Sequence, residues 1–243
     1  MGVSIKLNIL KGKKNLIFWK RERKIFLAMA DNNSRITAFI SYSSDEKRVG
    51  GRFKSCLTDY CGYDAFIAHD DVPGSAVWEQ EIVKAVQRSD IFIPLISKSF
   101  RDSTYTDQET GIAVCLGRKI IPIKLEDLDP YGFIGKYQAL QYKTFPDGRP
   151  AKDNIKELML TIALIGLNSK PRTIFRKKAL NSVVEAFCQS GSFEIANATI
   201  RMLLKCTDLS LEHLKKINQA IKNNDQIINA YDLPALKIFL KRF

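Results

Sequence analysis

The chain has few of the residues that bind metals or form disulfides. Among 243 residues there are only two histidines, His69 and His213, and the five cysteines are scattered without a Cys-x-x-Cys pair. No acidic cluster near a histidine has the spacing of metal ligands. The sequence therefore predicts neither disulfides nor a bound metal, and it indicates a reduced, cytoplasmic protein.

Long apolar runs are also absent. No apolar stretch reaches the ~18 residues of a membrane-spanning helix, so no membrane span is predicted. Residues 1–28 hold eight Lys or Arg and one Glu. Their apolar stretches are short and no small-residue cleavage site follows, which is not typical of a signal peptide. We interpret residues 1–33 as a basic tail. Two alternatives exist for this segment: it is an arm that binds anionic lipid or nucleic acid, or translation begins at Met29 and the segment is not part of the protein.

The excess of positive charge lies outside the middle of the chain. The net charge is +12. Residues 170–243 hold thirteen basic and six acidic residues, whereas residues 29–169 hold seventeen and nineteen. This distribution argues against nucleic-acid binding by the central region. For the C-terminal part, nucleic-acid binding is the less favoured alternative.

Apolar runs and helical patterns alternate from Ile36 to about Gly166. Buried strands are predicted at residues 36–40, 64–68, 91–96 and 119–124, with a short fifth at 140–143. Helices are predicted between and after them, over 49–60, 78–86, 107–117 and 155–165. The alternation predicts an α/β fold with a flavodoxin-like parallel sheet of about five strands and helices on both faces. Pro122 indicates a sheet edge or a bulge in the fourth strand.

The last part of the chain is predicted to be helical throughout. Four helices are expected there, the last three beginning at or just after Ser192, Ser210 and Leu233. We interpret residues 34–168 as one α/β domain and residues 173–243 as a small helical domain. The helical part carries no chemical motif, which favours a role in docking partners or sister subunits.

Three polar loops follow predicted strands, at residues 41–45, 69–74 and 97–109. In parallel sheets ligands bind at the carboxyl ends of the strands, so these loops are expected to converge on one site. The third loop leads into a helix that presents Glu109. Position alone would also fit a surface glutamate favoured by the helix dipole.

Segments of these loops resemble the sequence boxes of Toll/interleukin-1 receptor (TIR) domains. They read, in order, FISYSS at residues 39–44, DDVPG at 70–74 and ISKSFRDSTYTDQE at 96–109. The resemblance covers about residues 34–166 and excludes the C-terminal helices. It is closest in kind to the bacterial NAD-consuming type of this family.

The resemblance implies an activity and a set of site residues. Many bacterial and plant TIR domains, and the animal axon-degeneration enzyme, cleave NAD. The family's catalytic glutamate corresponds to Glu109. The implied substrate-binding residues are Ser41, Ser43, Ser44, Asp71, Gly74, Trp78 and Tyr105. Tyr105 stands where many members have tryptophan. Some members carry arginine at the loop position of Ser43 and Ser44.

The implied chemistry needs only one carboxylate. The nicotinamide of NAD is a pyridinium that leaves as a neutral ring, so no general acid is required, whereas glycosidases use a second carboxyl for a poor leaving group. A glutamate beside the ribose would stabilise the oxocarbenium-like cation. Attack by water gives ADP-ribose, and attack by an adenine nitrogen or a ribose hydroxyl gives a cyclic isomer; both remain open. NAD is the substrate, and no cofactor is expected.

Family behaviour also suggests partners and a role. We expect a homo-oligomer formed through TIR–TIR contacts, with the 69–74 loop and the helical domain contributing, and a function in defence against phage. The alternative is a non-catalytic adaptor, or a module that interferes with host signalling through TIR–TIR association. A flavodoxin-like or response-regulator domain, which would need an acidic pocket or a phosphate-binding loop, is disfavoured. Asp70 and Asp71 follow the second strand, and no glycine-rich phosphate loop follows the first.

Overall fold

The computed structural model of the chain describes residues 35–67, 78–143 and 152–243. The predicted basic tail lies outside these residues, and so do the loop with Asp71 and Gly74 and the side chain of Trp78. Residues Arg35–Phe243 group into one compact unit.

The described strands form one parallel sheet. They are β1 (Thr37–Ser41), β2 (Asp64–Ile67), β3 (Ile91–Ile96), β4 (Lys119–Ile120), β5 (Ile123–Lys124) and β6 (Leu140–Gln141). Their order across the sheet is β2-β1-β3-β5-β6, with β4 also paired to β3. The predicted parallel α/β fold is confirmed.

The predicted fourth strand is interrupted at Pro122. Strands β4 and β5 lie on either side of Ile121 and Pro122, and both pair with β3. Proline has no N–H to donate to the ladder, but its carbonyl accepts a bond from the backbone N–H of Leu140 at 2.9 Å. The interruption lies inside the sheet, because β6 pairs beyond β5.

The helices around the sheet are α1 (Lys47–Cys61), α2 (Trp78–Arg88), α3 (Lys98–Asp102), α4 (Thr104–Cys115) and α5 (Lys152–Leu167). The prediction of an unbroken loop before residue 107 is wrong: α3 forms within it, and α4 begins at Thr104. Two serines cause this, because the side chains of Ser97 and Ser103 cap α3 and α4 by accepting bonds from backbone N–H groups.

The C-terminal part contains α6 (Ile174–Cys188), α7 (Phe193–Leu203), α8 (Leu211–Asn223), α9 (Asp225–Ile228) and α10 (Leu233–Leu240). The four predicted helices are present, and Ser192 and Ser210 cap α7 and α8 with their side chains. The short α9 was not predicted. None of the described helices has the length and apolar character needed to cross a membrane.

Successive side chains of a strand lie on opposite faces of the sheet, and the two faces carry two separate apolar cores. Ala38 and Ile40 of β1 face the core built with α1 and α5, whereas Phe39 faces α2 and α4. There the ring of Phe39 stacks on that of Phe92, with centroids 5.7 Å apart. Ser41 lies two residues beyond Phe39 and shares its face. The strand thus delivers a hydroxyl to the side of the sheet that α4 covers.

The C-terminal helices extend the core on the other side. Helices α6 and α7 pack against α1 and α5. The Ser182 hydroxyl accepts a bond from the backbone N–H of Ile36 at 2.8 Å, and Lys178 pairs with Asp90 at 2.9 Å. That residues 173–243 form a domain of their own stays a prediction; here they pack directly on the α/β layers.

Candidate functional site

A pocket of about 400 Å³ lies at the carboxyl edge of the sheet, where β1 ends. Its described walls come from the segment after β1, the first turn of α2 and the start of α4. The lining residues are Tyr42, Ser44, Glu79, Ser103, Tyr105, Thr106 and Glu109. Two of the three polar loops predicted to converge here therefore do so.

Glu109 is the buried carboxylate of this pocket. Only 6% of its surface is exposed. The Ser41 hydroxyl donates a hydrogen bond to its Oε2 at 2.5 Å. Burial raises the pKa of Glu109 to about 7, although the bond from Ser41 acts in the opposite direction. A strongly shifted acid in a pocket is a common mark of a functional site.

The orientation of the Glu109 side chain depends on where α4 begins. Thr106 Oγ1 donates to the carbonyl oxygens of Phe100 at 2.6 Å and Ser103 at 2.8 Å, which fixes the junction between α3 and α4. Because residues four apart share a helix face, Tyr105 and Glu109 then both reach the pocket. Tyr105 is 59% exposed and lies at the rim.

The serine segment after β1 forms another wall. Ser41 and Ser43 are buried, whereas Ser44 is exposed and lines the pocket. The Ser99 hydroxyl donates to Glu46 Oε1 at 3.0 Å, and this bond ties the turn after β1 to the segment after β3. Ser43 is not among the lining residues, so its contact with substrate stays a prediction.

The structure brings together four of the predicted site residues, Ser41, Ser44, Tyr105 and Glu109. Trp78 is the first residue of α2 and directly precedes Glu79 in the pocket wall. Its side chain and the loop with Asp71 and Gly74 lie outside the described residues. The roles of these three residues stay predictions.

Four lining residues were missed from the sequence: Tyr42, Glu79, Ser103 and Thr106. Ser103 carried a signal as a typical N-cap. For Tyr42 the signal was a glycine inside a predicted helix: Gly50 lies in the first turn of α1, and a Cβ there would lie 2.8 Å from the Tyr42 ring. For Glu79 the sequence signal was its position in the first turn of a helix, a position that is common for surface acids.

The described residues include no group of three His, Cys, Asp or Glu side chains that could hold a metal ion. His213 is buried at the start of α8, where Nδ1 accepts a bond from the backbone N–H of Ser210 at 3.2 Å; His69 lies outside the described residues. All five cysteines are free. The pocket itself offers carboxylates, hydroxyls and tyrosine rings.

Fold and site together define an open parallel α/β protein with a buried glutamate at the carboxyl edge of its sheet. The family model described as "TIR domain" matches residues 38–159, half of the chain. The chain belongs to the TIR domain family. It is similar to the crystal structure of the TIR domain of the Toll-related receptor TRR-2 from Hydra magnipapillata, at 15% identity and a TM-score of 0.43, over 53% of this chain and 94% of that one. A comparison with curated proteins found no match.

Proposed function

We propose that this chain cleaves the nicotinamide–ribose bond of NAD, as TIR domains of the bacterial NAD-consuming type do. The products would be nicotinamide and either ADP-ribose or a cyclic ADP-ribose isomer. The observation that carries the proposal is the buried Glu109 carboxylate, which Ser41 holds in a pocket at the carboxyl edge of the sheet. This edge is where open α/β sheets bind their ligands.

The proposed step transfers one electron pair and needs no acid. The C–N bond breaks, its electrons pass to the ring nitrogen, and the pyridinium leaves as neutral nicotinamide. The ribose carbon becomes cationic, and a fixed carboxylate nearby stabilises that charge. Water then adds and loses a proton to give ADP-ribose, or a nucleophile of the same molecule adds to give a ring. Ser41 occupies Oε2 of Glu109, which leaves Oε1 for the ribose.

The aromatic groups of the site have a supporting role in this proposal. Tyr105 lies at the rim, one helical turn before Glu109. Trp78 begins the helix that contributes Glu79 to the wall. Stacking of the nicotinamide or adenine ring on either side chain would hold the dinucleotide with its scissile bond over Glu109.

The direct test is to incubate the purified full chain with NAD over a range of protein concentrations and to follow nicotinamide by chromatography. We expect release from the wild type and none above background from Glu109→Ala. The second peak, ADP-ribose or a cyclic isomer, identifies the attacking group. If a folded wild type releases no nicotinamide at any concentration, the non-catalytic adaptor role replaces the enzymatic one.

The biological setting extends the proposal. TIR domains commonly associate with one another, and we propose that TIR–TIR contacts in a homo-oligomer support activity. The five free cysteines favour a reducing, cytoplasmic location. There, loss of NAD or formation of a cyclic nucleotide would serve in defence against phage.

The pH dependence of the reaction provides a first prediction. Ionised Glu109 is the form that stabilises a cation, so kcat/KM is expected to rise with pH through a midpoint at about pH 7 and to level off about one unit above it. Ser41→Ala removes the hydrogen bond that lowers the pKa of Glu109, so it should shift this rise to higher pH. The measurement is nicotinamide release between pH 5 and 9, a range on the order of two units either side of that pKa.

Ser89→Ala is the matched control for Ser41→Ala. Ser89 is an equally buried serine, but its hydroxyl donates to the carbonyl of Val86 at the amino edge of the sheet. Its profile should follow that of the wild type. A Ser41→Ala profile with the wild-type midpoint would contradict the assigned hydrogen bond.

A further inference from the structure

The charge of the candidate pocket is one-sided. Among its described lining residues Glu79 and Glu109 are the charged ones, and none is Lys or Arg. Glu79 is exposed in the first turn of α2, and the described lysine nearby on that helix, Lys84, pairs with Glu81. The described part of this lining attracts a positively charged group and gives no charge partner for phosphate.

We infer that Glu79 is a specificity residue that favours the cationic nicotinamide ring of the substrate over a neutral ring. The inference rests on the proposed function, because it assigns the positive end of NAD to this pocket. Oxidised NAD carries a positive pyridinium, whereas reduced NADH has an uncharged dihydropyridine in the same place. The two molecules are otherwise nearly identical, so the ring charge is what a carboxylate in the wall can distinguish.

The same charge also separates substrate from product. Before cleavage the ring is positive and is attracted to Glu79; afterwards nicotinamide is neutral and the attraction is lost. Glu79 therefore contributes to substrate binding without retaining the leaving group. Because Glu79 is exposed, water and salt screen it, and the expected contribution is about threefold in affinity.

A first-turn acid can also be explained by the helix dipole alone. Glu81 separates the two explanations, because it lies in the same turn of α2 but pairs with Lys84 at 2.6 Å and lines a different pocket, at the amino edge of the sheet. If only the helix dipole matters, Glu79 and Glu81 are equivalent. If the pocket charge matters, only Glu79 affects the preference for the charged ring.

The test measures equilibrium binding of NAD and of NADH by calorimetry on the full chain carrying Glu109→Gln, which blocks turnover. Adding Glu79→Gln should lower the preference for NAD over NADH by about threefold at low salt, and less at high salt. Adding Glu81→Gln should leave the preference unchanged, and Glu79→Asp should retain most of it. Thermal melts confirm that each variant is folded.

The outcomes distinguish this inference from the proposed function. If both dinucleotides bind and Glu79→Gln leaves their ratio unchanged, or if Glu81→Gln lowers it equally, the role of Glu79 is wrong while NAD cleavage stands. If neither dinucleotide binds and the wild type releases no nicotinamide, both fail. In the active protein, Glu79→Gln should raise KM for NAD by a similar factor without lowering kcat, because the contact is made to the positive ring of the bound substrate and weakens as the ring becomes neutral.

Discussion

Replacing Glu109 with glutamine is expected to slow nicotinamide release by at least about 100-fold and, at pH 8, to make the protein more stable. The loss of rate follows because a neutral amide cannot stabilise the ribose cation as a fixed carboxylate does. The gain in stability follows because ionised Glu109 is costly to bury. Glutamine keeps the shape of the side chain and an oxygen that can accept the bond from Ser41.

The sign of the stability effect depends on pH. The pKa of Glu109 rises from an ordinary 4.5 to about 7 on folding, so between these values the folded state binds the extra proton. Stability therefore falls as pH rises through this window, and the full cost is present above pH 7. At 1.36 kcal/mol per pKa unit the cost has an upper limit of about 3 kcal/mol. At pH 8, Glu109→Gln should raise Tm by about 5 °C.

Thermal melts at pH 4 and pH 8, with parallel assays of nicotinamide release, check both halves of this prediction. At pH 4 the acid is largely protonated in both the folded and the unfolded state, so the gain should almost vanish. Glu157→Gln, an exposed site on α5, changes the net charge equally and should alter neither property. Full activity in Glu109→Gln would refute the catalytic role. A loss of stability at pH 8 would refute the cost of burial.

The sequence predicted the parts of the site that depend on local pattern. The apolar run of β1 ends at Ser41, and the segment that leads to Glu109 follows β3, so the pattern predicted that both lie at the same edge of the sheet. Their choice as site residues came from the resemblance to TIR domains, and their hydrogen bond was not predicted. The start of α4 was not predictable from apolar periodicity, because it depends on the hydroxyl of Ser103 as a cap. Glu79 was missed because its neighbours across the pocket come from distant parts of the chain.

The C-terminal helices show a second limit of sequence reasoning. Their apolar faces predict burial, but not the surface against which they are buried. The structure places α6 on α1 and α5, where Ser182 meets the backbone of Ile36. Such contacts join residues far apart in the sequence, and no periodicity within one helix reports them.

Gly62→Ala is expected to be among the most destabilising single substitutions in the described residues. Gly62 ends α1 with a φ of +67°, a left-handed conformation that favours glycine. An added Cβ would also overlap the carbonyl oxygen of Ser182 in α6 and lie 2.8 Å from its carbonyl carbon. Backbone strain and the steric clash together should cost about 3 kcal/mol or more, lowering Tm by about 10 °C.

Gly117→Ala separates the two contributions. Gly117 has a nearly equal φ of +63°, but an added Cβ there would meet nothing within 4 Å. It should therefore cost only the strain of the left-handed conformation, about 1 kcal/mol. Thermal or urea unfolding of both variants gives the difference, which measures how tightly α6 is held against the end of α1. Equal losses would mean that α6 can move away from Gly62 at little cost, and that the helical part and the α/β layers do not share a rigid core.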